Sequence, residues 1–262
     1  MIPEIFIESW RAHVPWQTLA MVEQDLVISR ALINLYNHPK IQDSLIFRGG
    51  TALNKLFIIP SARYSEDVDF VQKRPEPIGE TLNAIRNVLD PWLGDPKRRL
   101  TERSVKLVYQ YIGINKLPSK LKVEINTTEH FQVRSPLMVP YSIDSEWFQG
   151  ECKIATYELE ELLATKLRAL YQRRKGRDLF DLWFVFSKGL ANIDNVIQIF
   201  YKYCKNDGII INRDVFHSNM IQKRLNKDFQ VDMNVLLPHH TRWNFDEAFE
   251  FVLKNVVSMI DN

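Results

Sequence analysis

The chain has 262 residues, a formal net charge of +2, 45% hydrophobic and 25% charged residues, which excludes a disordered chain and fits a globular protein with a sizeable core. A near-neutral total also excludes polyanion binding by overall field, so any such attraction must come from local patches. Two distant cysteines, Cys152 and Cys204, read as free thiols, no apolar run approaches the ~20 residues of a membrane span, and the first residues lack a basic signal-type start, so a cytoplasmic protein is expected.

Leu19, Val22, Leu26, Ile28, Leu32 and Ile33 recur at helical spacing and predict a helix over 16–36, closed by His38 and Pro39. Ser44 to Arg48 is a short apolar run of strand type. Gly49 and Gly50 break it, and Thr51 to Ile59 reads as a helix begun by Thr51. Asp67 to Gln72 alternates acidic and apolar residues, a strand signal. Pro75 and Pro77 mark a turn before a helix over Ile78 to Leu89. Val105 to Asn115 and Ser119 to Thr128 read as a hairpin with its turn near Pro118. After about Gly150 the chain turns helical, with helices over Tyr157 to Arg173 and, past a break at Gly176, over Asp178 to Phe186. Two parts are therefore expected: residues 1–150 of α/β type and residues 151–262 mainly helical. His239 and His240, after Pro238, have no acid at a ligand spacing and predict a surface turn.

The chemistry concentrates in Asp67-Val68-Asp69-Phe70. In a strand, side chains at i and i+2 share a face, so both carboxylates project together while Val68 and Phe70 enter the core. Like charges held so close call for a cation between them. Mg²⁺ suits them, as a hard ion held by one or two carboxylates plus substrate phosphates. A third carboxylate, Glu124, lies on the polar face of Lys120-Leu121-Lys122-Val123-Glu124-Ile125, and three carboxylates on adjacent strands suit a two-metal clamp for in-line phosphoryl displacement. Ahead of them, Arg48-Gly49-Gly50-Thr51 forms a strand-to-helix turn at which backbone N–H groups and the helix N-terminus can approach an anion. The Thr51 hydroxyl is a candidate phosphate donor, Arg63 is within sequence reach of the triphosphate, and Ser65 falls on the catalytic face if the strand starts that early. Taken singly, each piece is a solvated face or an ordinary turn; the ordered combination carries the reading.

FRGGTALNKL, RYSEDVDF and KVEI together resemble the nucleotidyltransferase fold of the DNA polymerase β type. The later KLRALYQRRKGRDLFDLW resembles one branch of it, the AbiEii family of bacterial toxins from toxin–antitoxin and abortive-infection systems. The glycine motif departs from the superfamily pattern, with Thr51 in place of serine and a longer connection, sixteen residues from Thr51 to Glu66, before Asp67. The resemblance implies a mixed sheet flanked by helices with a mainly helical C-terminal part. It also implies an enzyme that transfers a nucleotidyl group from an NTP to an acceptor hydroxyl with Mg²⁺. Asp67, Asp69 and Glu124 would be the metal and catalytic carboxylates, and Gly49, Gly50, Thr51, Arg63 and Ser65 would line the nucleotide. RNA, in particular the 3′ end of tRNA, is the implied acceptor, and a separately encoded antitoxin the implied partner. A protein or small-molecule acceptor, and a non-catalytic regulator that binds nucleotide or RNA, stay open as alternatives.

Lys166 falls inside the apolar stripe of its predicted helix, so it must snorkel or meet an acid. Asp178 and Asp181 share one face of the next, largely apolar helix at i, i+3, and a buried aspartate needs a partner. The resemblance places Lys166 and one of these aspartates in the active site, with Asp181 preferred and Asp178 the other candidate; a purely structural lysine–aspartate tie is the competing reading. Residues 166–177 hold six basic residues and no acid, and Lys97, Arg98, Arg99, Arg103 and Lys106 form a second basic group. Both are candidate phosphate-backbone contacts.

Overall fold

The computed structural model describes residues 2–238 and 241–262, so the turn expected at His239 and His240 lies outside the described residues. The chain divides into two compact units. One is Met1–His130 with Pro136–Tyr157, and the other is Phe131–Ser135 with Glu158–Asn262.

The first unit is built on a seven-stranded mixed sheet in the order β3-β4-β5-β2-β1-β7-β6. Its strands are β1 (Leu45–Arg48), β2 (Asp67–Gln72), β3 (Lys97–Leu100), β4 (Ser104–Ile112), β5 (Pro118–Asn126), β6 (Leu137–Asp144) and β7 (Gln149–Thr156). β2 pairs antiparallel with β1 and parallel with β5, whereas β4 and β5 form the expected hairpin. One face is apolar: Phe47, Val68, Phe70, Leu107, Val123 and Ile125 are buried. It is covered by α2 (Leu19–Tyr36), whose Tyr36 ring meets Phe70 at 6.0 Å. The first unit extends to Tyr157 because β7 continues the sheet, its Thr156 in register with Phe47.

The helix predicted over 16–36 starts at Leu19, where the Thr18 side chain accepts from the Met21 N–H. Asp25 on its buried side accepts from the indole N–H groups of Trp16 (3.1 Å) and Trp10 (3.3 Å). Trp10 ends α1 (Glu4–Trp10). Asp25 also pairs at 2.9 Å with Lys55 of α4 (Gly49–Leu56), so one buried carboxylate ties the N-terminal helix and the helix after the glycine turn to α2. Two short or longer helices complete the unit, α3 (Pro39–Ser44) and α5 (Gly79–Leu93).

The second unit is helical: α6 (Leu159–Gln172), α7 (Gly176–Ser187), α8 (Ile193–Asn206), α9 (Arg213–Arg224), α10 (Lys227–Val231) and α11 (Phe245–Asn255). The last four share one start signal. Asn192, Asn212, Asn226 and Asn244 each accept a backbone N–H three residues on, the N-cap contact that satisfies otherwise orphaned donors. Segment 131–135 joins this unit through Glu161, fully buried, whose carboxylate accepts from the Val133 N–H (2.7 Å), the Arg134 N–H (3.0 Å) and the Tyr203 hydroxyl (2.8 Å). Gly176, expected as a break, opens α7; a Cβ there would lie 2.3 Å from the Phe229 carbonyl oxygen, so only glycine allows the approach. Among the described residues, no helix is long and apolar enough to cross a membrane.

Candidate active site

The sheet face opposite the core carries the acidic residues singled out in the sequence. Asp67 and Asp69 project from it on β2, and the parallel register sets Asp67 beside Lys122 and Asp69 beside Glu124. Extending that register gives a row of charged residues across five strands: Arg48, Asp69, Glu124, Lys106 and Arg99. Three carboxylates and their basic neighbours thus come together by strand pairing alone, since directly opposed residues share a face.

Their ion pairs are uneven. Lys122 Nζ lies 2.7 Å from Asp67 Oδ2 and 3.4 Å from Glu124 Oε2. Glu124 is drawn the other way by Lys106 (3.0 Å) and by the Ser104 hydroxyl (3.1 Å). Asp69 makes no ion pair or side-chain hydrogen bond among the described residues; the neighbouring Arg48 is engaged with Glu129 at 2.6 Å. The titration behaviour follows. Burial, and then the charge of Asp67, push the Asp69 carboxyl above its usual range. For Glu124 burial acts upward, but Lys106, Lys122 and Ser104 outweigh it and hold the group below its usual range. Among the described residues, no three His, Cys, Asp or Glu side chains converge as a metal cage, Asp67, Asp69 and Glu124 included. β4 holds Glu124 toward Lys106.

The glycine turn is shaped around Asp69. Gly49 has φ +83°, a conformation that L side chains rarely adopt, and a Cβ there would lie 2.7 Å from Asp69 Oδ2. The carboxylate thus rests against the N-terminus of α4, where the helix dipole favours negative charge. Gly50 is required for a different reason: a Cβ would lie 2.2 Å from Arg63 Nη2. Arg63 is fully buried, with Nη1 donating to the Tyr64 carbonyl (3.0 Å). It supports the turn from inside the protein. Asn54 completes this support. Its side-chain amide donates to the Gly50 carbonyl (3.0 Å) and accepts from the Ala62 and Arg63 N–H groups (3.1 and 3.2 Å).

Thr51 also differs from expectation. It lies inside α4, not at its cap, and is buried. Its hydroxyl is 2.5 Å from the Asp67 carbonyl and 2.7 Å from Ser65 Oγ. A carbonyl only accepts, so the Thr51 proton goes to Asp67 and the Ser65 hydroxyl donates to Thr51. Thr51 and Ser65 therefore fix the start of β2 against α4, and neither keeps a free proton for a phosphate. Gln24 of α2, not singled out in the sequence, holds β5 and the residue before β2 together, donating to the carbonyls of Lys120 (3.0 Å) and Glu66 (3.4 Å).

A second charged cluster lies within the helical unit. Lys166 Nζ of α6 pairs with Asp178 (3.1 Å) and Asp181 (3.0 Å) of α7, both essentially fully buried. Arg173 donates twice to Asp178, at 2.7 and 2.9 Å. The Asp178 carboxyl is lowered to about 2: burial opposes the shift, and Lys166 and Arg173 overcome it. The lysine meets both aspartates, so the choice between them made from helix depth does not describe the arrangement.

Gly49→Ala is expected to lower both stability and activity, because the new methyl incurs the φ penalty of about 1–2 kcal/mol and collides with Asp69. Gly94 offers a comparison: its φ is +76° and a Cβ there meets nothing within 4 Å. Gly94→Ala should cost stability alone. Melting curves and turnover of the two variants together separate backbone strain from displacement of Asp69.

A mixed sheet that sets an aspartate pair beside a third carboxylate, at a glycine turn opening a helix, is the frame of a nucleotidyltransferase. The chain belongs to the AbiEii nucleotidyl transferase toxin family of type IV toxin–antitoxin systems, whose family model matches residues 30–251. No curated protein sequence matches it significantly. Among solved structures, MenT4, a nucleotidyltransferase toxin from Mycobacterium tuberculosis H37Rv, is similar at 18% identity and a TM-score of 0.69, covering 100% of this chain and 91% of that one. JHP933 from Helicobacter pylori is similar at 19% identity and a TM-score of 0.56, covering 91% of each chain. A nucleotidyltransferase structure from H. pylori shares 18% identity, with a TM-score of 0.55 and coverage of 94% of this chain and 100% of that one. At these identities the likeness is one of fold.

Proposed function

We propose that this enzyme transfers a nucleoside monophosphate from an NTP to an acceptor hydroxyl at an RNA 3′ end, with tRNA as the acceptor, and that a cognate antitoxin restrains it. The observation that carries the reading is the in-register face of Asp67, Asp69 and Glu124, with Asp69 against the N-terminus of α4 and, among the described residues, without an ion pair. The donor set fits Mg²⁺, because the β2 aspartates offer hard oxygen ligands and Asp69 makes no ion pair among the described residues. An ion held by one or two carboxylates and completed by substrate phosphates needs no closed protein cage. Asp67 and Asp69 would hold it, and it would supply charge for the phosphate oxygens. The N–H groups of the glycine turn at the α4 N-terminus are the candidate phosphate contacts. Glu124, charged at neutral pH, is the candidate acceptor of the proton from the attacking hydroxyl. The hydroxyl oxygen attacks the α-phosphorus, its proton leaves to base, and pyrophosphate departs. Lys166, Asp178 and Asp181 are proposed as reaction residues from the family resemblance, Lys166 to offset phosphate charge and the aspartates to orient it. The exposed basic strand Lys97–Leu100 supports a polyanionic acceptor.

The test supplies each α-³²P-labelled NTP with Mg²⁺, total RNA and total protein. Label is expected in RNA, at a 3′ end, and to vanish with EDTA. Label in protein or in a small molecule would reassign the acceptor, and label in nothing would overturn nucleotidyl transfer.

A further inference from the structure

We propose that Lys122 is an internal counter-ion of the catalytic carboxylates which a divalent cation must displace from Asp67, so that it sets the affinity of the site for metal. The inference rests on the reading of Asp67 and Asp69 as the metal-holding pair.

Three observations carry it. Lys122 is the β5 residue opposite Asp67, so its position on the carboxylate face is fixed by strand register. Its Nζ reaches two of the three carboxylates, Asp67 at 2.7 Å and Glu124 at 3.4 Å. Glu124 has a second cation in Lys106 at 3.0 Å, while for Asp67 the ion pair with Lys122 is the one the described residues show. Among the described residues, Lys122 is thus the ammonium placed to neutralise the β2 pair before any metal arrives.

The consequence is electrostatic. A divalent ion on Asp67 and Asp69 would stand within a few ångströms of the Lys122 ammonium, and like charges at such a distance repel strongly in a partly buried site. Metal binding must therefore push the ammonium off Asp67. Two states follow: one closed on lysine, with the carboxylates neutralised internally, and one open to metal, with Lys122 released as a cation beside the incoming phosphates. A nucleotide that brings its own negative charge favours the second state. The site would then hold metal weakly alone and more tightly with the triphosphate.

The test measures Mn²⁺ binding without nucleotide, from the free-ion electron paramagnetic resonance signal, in wild type, Lys122→Met, Lys122→Arg, Lys120→Met and Asp69→Asn. Lys122→Met is expected to tighten the Mn²⁺ dissociation constant by about tenfold, and its thermal midpoint in EDTA to fall and recover with Mn²⁺. Lys122→Arg keeps the charge and pairs with a carboxylate in a more rigid, two-pronged fashion, so it should bind Mn²⁺ no better than wild type. This second variant keeps the idea testable should Lys122→Met fold poorly, because tighter binding by Lys122→Arg would overturn it. Lys120→Met, an exposed neighbour on the same strand face, should stay within twofold of wild type. Equal Mn²⁺ affinity of wild type and Lys122→Met overturns the counter-ion role while leaving the metal site standing, provided Asp69→Asn weakens binding. Absence of Mn²⁺ binding in every variant overturns the metal reading and this role with it.

Discussion

Asp69→Asn is expected to reduce nucleotidyl transfer by about 10³-fold or more, a loss of about 4 kcal/mol in transition-state stabilisation, and at the same time to raise the thermal midpoint of the metal-free protein. Both effects come from one feature. Asp69 carries a charge that burial and Asp67 disfavour, so its carboxyl is pushed above the ordinary range. For an acid, a raised native pKa means that ionisation costs stability. The cost is absent below the unfolded value, where both states are protonated, and grows as pH rises through the native value. Asparagine removes it while keeping shape. The relief should appear as a higher thermal midpoint for the variant. Mg²⁺ should raise the midpoint of the wild type but not of the variant. A variant that loses activity by unfolding would show the opposite shift, so calorimetry in EDTA at pH 7 beside turnover distinguishes the two. Retention of transfer by Asp69→Asn would remove the aspartate pair from the mechanism. Activity gained at the expense of stability is a recurring property of enzyme sites, and here it is localised on the Asp69 carboxylate.

The acidic face was legible in the sequence because a strand's period of two needs no tertiary information: DVDF and KVEI each state which residues share a side. Their adjacency was not. β2 and β5 are separated by a helix and two strands, and only the pairing register sets Asp69 beside Glu124 and Asp67 beside Lys122. Lys122 was visible merely as one polar residue of an alternating strand. The ion pairs that draw Glu124 toward Lys106 depend on β4 and are not readable from KVEI alone. Thr51 illustrates a different failure. A threonine after glycines at a helix start has the signature of a cap, but the helix begins two residues earlier and turns Thr51 inward, where it bonds the Asp67 carbonyl. β3 was missed because Lys-Arg-Arg-Leu has no alternation to read; all four residues are exposed on a sheet edge, where cationic side chains guard against strand addition. β6 and β7 went unread, and with them the point at which the sheet ends.

The lysine–aspartate cluster of the helical unit bears the largest expected stability effect. Asp178→Ala is expected to destabilise the protein by about 3–5 kcal/mol, the range for removing one partner of a buried ion pair. Asp178 is fully buried, receives Lys166 and both arms of the Arg173 contact, and ties α6 to α7. Its depressed carboxyl, about 2 against an ordinary 3.8, makes the same statement in pH. The stabilisation is fully present above the unfolded value and is lost as pH falls from about 4 toward 2, a contribution of about 2 kcal/mol. Acid melts should show that step in the wild type and lack it in Asp178→Asn. Stability alone does not decide whether the cluster also serves the reaction. Removing all three charges together does: Lys166→Met with Asp178→Asn and Asp181→Asn is nearly isosteric and leaves no buried charge stranded among the three. Replacing a whole buried ionic set often restores what single removals destroy, so this variant should melt well above Asp178→Ala. If Lys166 acts on the triphosphate, the restored fold will still transfer nucleotide at least about 10²-fold more slowly than wild type. A folded and fully active triple variant would make the cluster a structural tie and return the chemistry to β2 and β5 alone.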